Sequence, residues 1–386
     1  MSGSAKRMAK IRPFYVMELL ARAKQLEAEG RSIIHMEVGE PDFDSPEPVV
    51  RAGQQALADG LTHYTPAMGI TPLRETIARH YQARYGVKVD PGCVIVTPGS
   101  SGALQLVMSI LINPGERVMM ADPSYPCNRN FVYLVGGDIT AIAVDHRTDY
   151  QLTAEMVASH WTPETRAVMV ATPSNPTGTL IEKAELQRIH QVVQERGGVL
   201  IVDEIYQGLI YDEPGYTALE VADDLFVINS FSKYFGMTGW RLGWMVAPKT
   251  YVGDIDKLAQ NIFLSAPTPA QYAALQAFSD ETLKITEERR LAFQARRDYL
   301  YPALTSLGFK IRSMPKGAFY LYADCSAFTS DSYQFAMRLL EEEGVAITPG
   351  RDFGDNHPQT HVRFAYTTAI PALEEGVRRI AQFIGR

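Results

Sequence analysis

Ala167-Val-Met-Val-Ala171 runs straight into Thr172-Pro-Ser-Asn-Pro-Thr-Gly178, and Val199-Leu-Ile-Val202 runs into Asp203-Glu-Ile-Tyr206. Each is an apolar run too short for a helix, dense in Val, Ile and Met, and closed by polar residues. That combination reads as a strand buried on both faces. Five further runs of this kind lie around them: Val94–Thr97, Arg117–Ala121, Ile139–Val144, Leu225–Asn229 and Trp244–Ala247. Most are followed by a helix-like segment. Strands alternating with helices point to an α/β fold, here a doubly wound, mainly parallel seven-stranded sheet. Such sheets bind ligands beyond the carboxyl ends of their strands, so chemistry is expected in the polar residues that follow each run.

Helical patterns flank this region. Tyr15–Gly30 reads as an amphipathic helix with Gly30 just past its end, and Leu73–Tyr85 as another stopped by Gly86. Thr282–Leu307 is long and charged and reads as a connector leaving the sheet. From about Lys310 the pattern changes to FYLYAD, a helix around Ser332–Gly344, VAITPG, HVRFAY and a last helix, a smaller α+β lobe. The expected division is 1–45 as N-terminal arm and part of the small domain, 46–285 as the large domain, and 286–386 as the small C-terminal domain.

Composition narrows the function. The chain has 386 residues, 46% hydrophobic and 21% charged, which excludes disordered, collagenous and disulfide-rich classes. Lys plus Arg number 37 against 44 Asp plus Glu, a net charge of −7, so nucleic acid has no basic surface to hold. Cys93, Cys127 and Cys325 are odd in number and widely spaced, giving neither a disulfide framework nor a metal pattern. Glu18 interrupts the apolar stretch near the start too early for a signal sequence, and no run is long enough to span a membrane. A soluble, cytoplasmic protein with no metal site is expected.

The strongest local feature is Ser230-Phe-Ser-Lys233-Tyr-Phe-Gly236-Met-Thr-Gly-Trp-Arg241-Leu-Gly243. A lysine just past a buried strand end is partly desolvated, so its pKa falls and its amine becomes available for Schiff-base chemistry. Two serine hydroxyls and a guanidinium beside it are the groups that a dianionic phosphate needs. Taken alone, Lys233 reads as a surface lysine. The whole spacing argues otherwise.

Here the chain resembles the class I/II aminotransferases, aspartate-aminotransferase-like enzymes of fold type I that use pyridoxal 5′-phosphate. Nine motifs stand in the family's order: VGEPDF (38–43), HYTPAMGITPLR (63–74), TPGSSGAL (97–104), PSYP (123–126), PSNPTG (173–178), DEIY (203–206), SFSK (230–233), PGRDFG (349–354) and HVRFAY (361–366). The resemblance makes residues 46–285 the cofactor-binding domain. It implies that Lys233 holds the cofactor as an imine and that Asp203 keeps the ring nitrogen protonated, which makes the ring a better electron sink. Tyr206 and Asn175 would donate to the phenolic oxygen. Ser100, Ser101, Ser230, Ser232 and Arg241 would surround the phosphate, with Gly99-Ser-Ser-Gly102 opening a helix whose free amides suit an anion. Tyr125 would stack on the ring, and Tyr64 would reach the phosphate of the neighbouring subunit of a homodimer with shared active sites. No P-loop and no dinucleotide fingerprint competes with this reading.

On the substrate side, Arg363 in HVRFAY matches the arginine that clamps an α-carboxylate by a two-pronged pair. Gly39 lets backbone approach the same carboxylate, Asn175 borders it, and the arm around Phe14, Tyr15 and Val16 closes over it. The resemblance implies transfer of an amino group from an L-amino acid to a 2-oxo acid, with 2-oxoglutarate the expected acceptor. Kinetics would be ping-pong, with Lys233 moving the α-proton. The positions where dicarboxylate-specific members carry a second cation hold Ser101 and Asn261 here, which counts against strict aspartate specificity. Arg12, Arg129 and Arg351 are the reserve candidates for that charge. Two alternatives remain open. One is a C–S β-lyase on the same fold, separable by pyruvate release without an acceptor; the other is a non-catalytic binding protein of aminotransferase-like shape.

Overall fold

A computed structural model describes residues 3–385 of the chain. Eleven strands form two sheets. They are β1 (Ile34–Met36), β2 (Val94–Thr97), β3 (Arg117–Asp122), β4 (Asp138–Ala143), β5 (Thr165–Ala171), β6 (Val199–Asp203), β7 (Phe226–Ser230), β8 (Gly243–Val246), β9 (Tyr320–Asp324), β10 (Val345–Pro349) and β11 (His361–Ala365). The larger sheet has the order β2-β8-β7-β6-β5-β3-β4, so all seven apolar runs are strands of one sheet. Five of them, β4, β3, β5, β6 and β7, pair in parallel; β8 lies antiparallel to both β7 and β2.

The continuous apolar runs arise because the sheet divides the core. Val168, Val170, Leu200 and Val202 belong to one buried cluster, whereas Ala167, Met169, Val199 and Ile201 belong to the other. Successive side chains on a strand point to opposite faces, so a sheet covered on both sides needs an apolar residue at every position. β4 is a correction to the expectation of seven strands buried on both faces. It lies at the edge of the sheet, where Ala141 and Ala143 are exposed and only Ile142 is buried.

The smaller sheet has the order β1-β10-β11-β9, with β1 parallel to β10 and the other pairs antiparallel. Its first strand comes from the N-terminal segment. The helix Tyr15–Ala28 packs on β10, ending at Gly30, whose φ of +89° is a left-handed conformation that favours glycine. The charged connector is a single helix, Asp280–Ser306, started by the Ser279 hydroxyl, which accepts from the Thr282 amide. Two of its arginines are buried and paired: Arg296 with Asp42 at 2.8 Å and Arg297 with Asp212 at 2.6 Å. Among the described residues no helix is long and apolar enough to cross a membrane.

Candidate active site

The carboxyl ends of β2, β3, β5, β6 and β7 open toward a common cavity of about 250 Å³, closed on its far side by residues of the small sheet and the N-terminal segment. Asp203 is the last residue of β6, in register with Ala171 and Ile228, and its side chain lines the cavity floor. One carboxylate oxygen accepts from the Ile205 amide at 3.1 Å. Burial dominates, raising its pKa to about 7. A carboxylate so placed calls for a cation or donor opposite it.

Lys233 follows β7 by three residues, and its Nζ donates to the Gly39 carbonyl at 2.6 Å. Burial lowers its pKa to about 8, with Glu40 opposing the shift and Arg363 and Arg241 adding to it. Tyr206, three residues beyond β6, has its hydroxyl 2.7 Å from the Tyr320 hydroxyl. Burial pushes the Tyr206 phenol well above its ordinary range.

One end of the cavity is built for an anion. The helix Gly99–Leu111 begins there with Ser100 and Ser101 at its first turn, so unpaired amides and the positive dipole end face the space. Arg241 lies across this terminus. A Cβ on Gly99 would sit 2.6 Å from its Nη2, and one on Gly243 would sit 2.7 Å from the Gly99 and Ser100 backbone. Gly243 is therefore required by close approach to backbone, and Gly99 by a φ of +68°. Ser230 and Ser232 line the same end, the Ser230 hydroxyl accepting from the Ser232 amide at 3.0 Å. Arg241 is steadied by donating to the Thr238 carbonyl at 3.0 Å, leaving the rest of its fork free for a ligand.

At the other end stands Arg363, on β11 and only 3% exposed. It donates to the Asn175 side-chain oxygen at 2.9 Å, to the Thr348 hydroxyl at 3.2 Å and to the Glu37 carbonyl, while its Nε has no protein partner. Its guanidinium lies 4.3 Å from the centre of the Tyr320 ring. Tyr125 forms a flat wall between the two ends, edge-on to Phe14 at 6.2 Å.

A family model described as aminotransferase class I and II matches residues 31–380. The chain belongs to the class I and II aminotransferases. It is 36% identical to (5-formylfuran-3-yl)methyl phosphate transaminase of Methanocaldococcus jannaschii over 385 residues, 99% of this chain and 100% of that one. It is 38% identical to valine–pyruvate aminotransferase of Mycobacterium tuberculosis, covering 97% of each. The crystal structure of an aminotransferase from Mycobacterium tuberculosis superposes with a TM-score of 0.96 at 37% identity, covering 100% of both chains. Aspartate aminotransferase from Thermus thermophilus, with maleate, gives 0.93 at 34% identity over 99% of this chain and 100% of that one. The fold is that of the fold type I family, and the protein is a pyridoxal-phosphate-dependent aminotransferase.

The aminotransferase cavity fits this cofactor. The helix terminus with its serines and Arg241 suits a phosphate, the flat Tyr125 face suits a ring, and buried Asp203 lacks the cation that a protonated ring nitrogen would supply. Ser100, Ser101, Tyr125, Asn175, Asp203, Tyr206, Ser230, Ser232, Lys233, Arg241, Gly39 and Arg363 all line it.

Tyr15 and Tyr64 do not. The Tyr15 and Val16 amides are each held at 2.8 Å by the Asp352 carboxylate, which caps the helix from the small sheet's side. That start directs Phe14, Val16 and Met17 into the cavity and turns the Tyr15 ring away against Tyr333. Tyr64 is 81% exposed within a single protomer. Asn261 sits on an exposed helix face, bonded to the Lys257 carbonyl. The three reserve arginines line a neighbouring cavity of about 290 Å³ and are engaged there: Arg12 with Asp355 at 2.8 Å, Arg351 with Asp331 at 3.1 Å, and Arg129 with the Phe353 carbonyl at 2.7 Å. Sequence reasoning missed Tyr320, whose motif FYLYAD signals only a strand.

Proposed function

We propose that this aminotransferase moves the amino group of an L-amino acid with an uncharged side chain to a 2-oxo acid in a ping-pong cycle carried by Lys233. The observation that supports it most directly is the span of the cavity: an anion-binding helix terminus with Arg241 at one end, Arg363 at the other, and Lys233 Nζ between them. When bound, pyridoxal phosphate supplies an aldehyde carbon for the amino group and a ring that accepts electrons from the α-carbon. Residues 46–285 would carry the cofactor, and 286–386 with 1–45 would bring Arg363 and the arm to it.

Lys233 would hold the cofactor through Nζ, and its free amine would be the group that moves the α-proton. A pKa near 8 suits that double duty, since the amine exchanges protons close to neutral pH. Asp203 would hold the ring nitrogen, and Tyr206 and Asn175 would donate to the phenolic oxygen. Arg363 grips the substrate carboxylate and so aims the α-hydrogen at Lys233. Phe14, Val16 and Met17 of the N-terminal segment line the cavity with apolar side chains, the surface proposed to face the side chain of the donor. That surface favours a neutral donor over aspartate. Tyr64, exposed in one protomer, would meet the phosphate of a partner subunit in a homodimer.

The decisive test is the near-visible absorption of the holoenzyme as single amino acids are added without acceptor. Loss of the lysine-bound band with neutral donors, ahead of aspartate, is expected. A band that no amino acid discharges would overturn the reading, and pyruvate release from cystathionine without acceptor would favour the β-lyase. Arg241→Ala removes a charge-assisted contact to the phosphate, so cofactor should be held roughly 10- to 100-fold less tightly. Cofactor remaining after dialysis measures this, and wild-type retention would exclude Arg241 from the phosphate site.

A further inference from the structure

Tyr320 is buried and lines the cavity, and its hydroxyl has one hydrogen-bond partner among the described residues, the Tyr206 hydroxyl at 2.7 Å. Three contacts fix it there. β9 pairs with β11 so that Tyr320 lies opposite Ala365, two residues from Arg363. The Arg363 guanidinium covers its ring at 4.3 Å. Its hydroxyl is pressed so close to Gly39 that a Cβ on residue 39 would fall 1.8 Å from it. The two phenol rings meet edge-to-face at 5.7 Å and 83°.

We propose that Tyr320 is a positioning residue that donates its proton to the Tyr206 hydroxyl oxygen, so that Tyr206 keeps its own proton for the cofactor's phenolic oxygen. This rests on the placement of Tyr206 under the proposed function. Each hydroxyl carries a single hydrogen, and the shared bond uses one of them. If Tyr206 were the donor, it would have none left to offer into the cavity. Arg363 decides the direction: its positive charge over the Tyr320 ring makes that phenol the better donor of the two. Hydrogen bonds in a chain polarise one another, so donation from Tyr320 also strengthens the bond that Tyr206 makes next. Gly39 thereby gains a second purpose beside leaving room for a carboxylate, namely making room for Tyr320.

The test is a pH titration of the lysine-bound absorption band in the holoenzyme, in Tyr320→Phe, in Tyr206→Phe and in the double variant. Phenylalanine keeps the ring beneath Arg363 and removes only the hydroxyl, so the fold should hold, which a melting curve checks. A weaker donor to the phenolic oxygen leaves the neighbouring nitrogen more basic, so the band's midpoint should rise in Tyr320→Phe by roughly half to one pH unit. In the Tyr206→Phe background, Tyr320→Phe should add nothing, because its effect passes through Tyr206. Equal midpoints in wild type and Tyr320→Phe, or fully additive shifts in the double variant, would overturn the inference while leaving the proposed function standing. Absence of any titrating band in the wild-type holoenzyme would overturn both.

Discussion

Replacing Lys233 by alanine is expected to lower turnover by roughly 10⁴-fold, the order that a positioned acid–base group contributes. The amine is the one nitrogen in the cavity able both to bond covalently to an aldehyde and to carry a proton to and from carbon. The fold should survive, because the side chain's hydrogen bond within the protein is to the Gly39 carbonyl, and its Nζ lies about 6 Å from the Tyr206 and Phe319 ring centres. The wild-type amine also has a pH signature. Burial depresses its pKa from 10.5 to about 8. An ammonium has no lone pair, so the rate at which cofactor-free protein takes up pyridoxal phosphate should climb as pH rises through 8 and then level off. At pH 7 about a tenth of the buried amine is neutral, several hundred times the fraction for an exposed lysine. Stopped-flow absorbance gives the loading rate and a coupled assay gives turnover. An alanine variant that turned over within tenfold of wild type would remove Lys233 from the chemistry.

Much of this site could be read from the chain because its cofactor-facing residues sit in short segments at strand ends. Asp203 and Tyr206 follow β6, Asn175 follows β5, Lys233 follows β7, and Ser100 and Ser101 open the helix after β2. Local order puts all of them at one edge of a parallel sheet without any knowledge of packing. What stayed hidden depends on contacts distant in sequence. Tyr320 reaches the cavity only because β9 pairs with β11 and the small sheet closes on the large one. Phe14 and Val16 line the cavity as the arm was expected to, but the turning of Tyr15 away and of Met17 inward follows the Asp352 cap, more than three hundred residues away, which sets where the helix begins. The antiparallel run of β8 and the exposed edge position of β4 are likewise settled by neighbours, not by their own apolar residues.

Arg363→Lys should reduce kcat/KM by roughly 10²- to 10³-fold, and the same factor should apply to the amino acid and to the 2-oxo acid. Both substrates present an α-carboxylate, and a guanidinium can meet its two oxygens with two parallel donors, which an ammonium cannot. Losing two charge-assisted bonds corresponds to about 3–4 kcal/mol. The loss should fall mainly on KM, because the carboxylate is held in ground and transition states alike. Lysine is the informative replacement. Alanine would also strip the Asn175 side-chain oxygen, the Glu37 carbonyl and the Thr348 hydroxyl of a shared buried donor, so a drop in Tm would accompany any loss of activity. In Arg363→Lys the absorption band of the bound cofactor should persist, because the groups proposed to hold it, Lys233, Asp203 and Arg241, are untouched. If KM rose for the amino acid alone, Arg363 would be reading the side chain, and the carboxylate would have to be held by the Asn175 amide and backbone near Gly39.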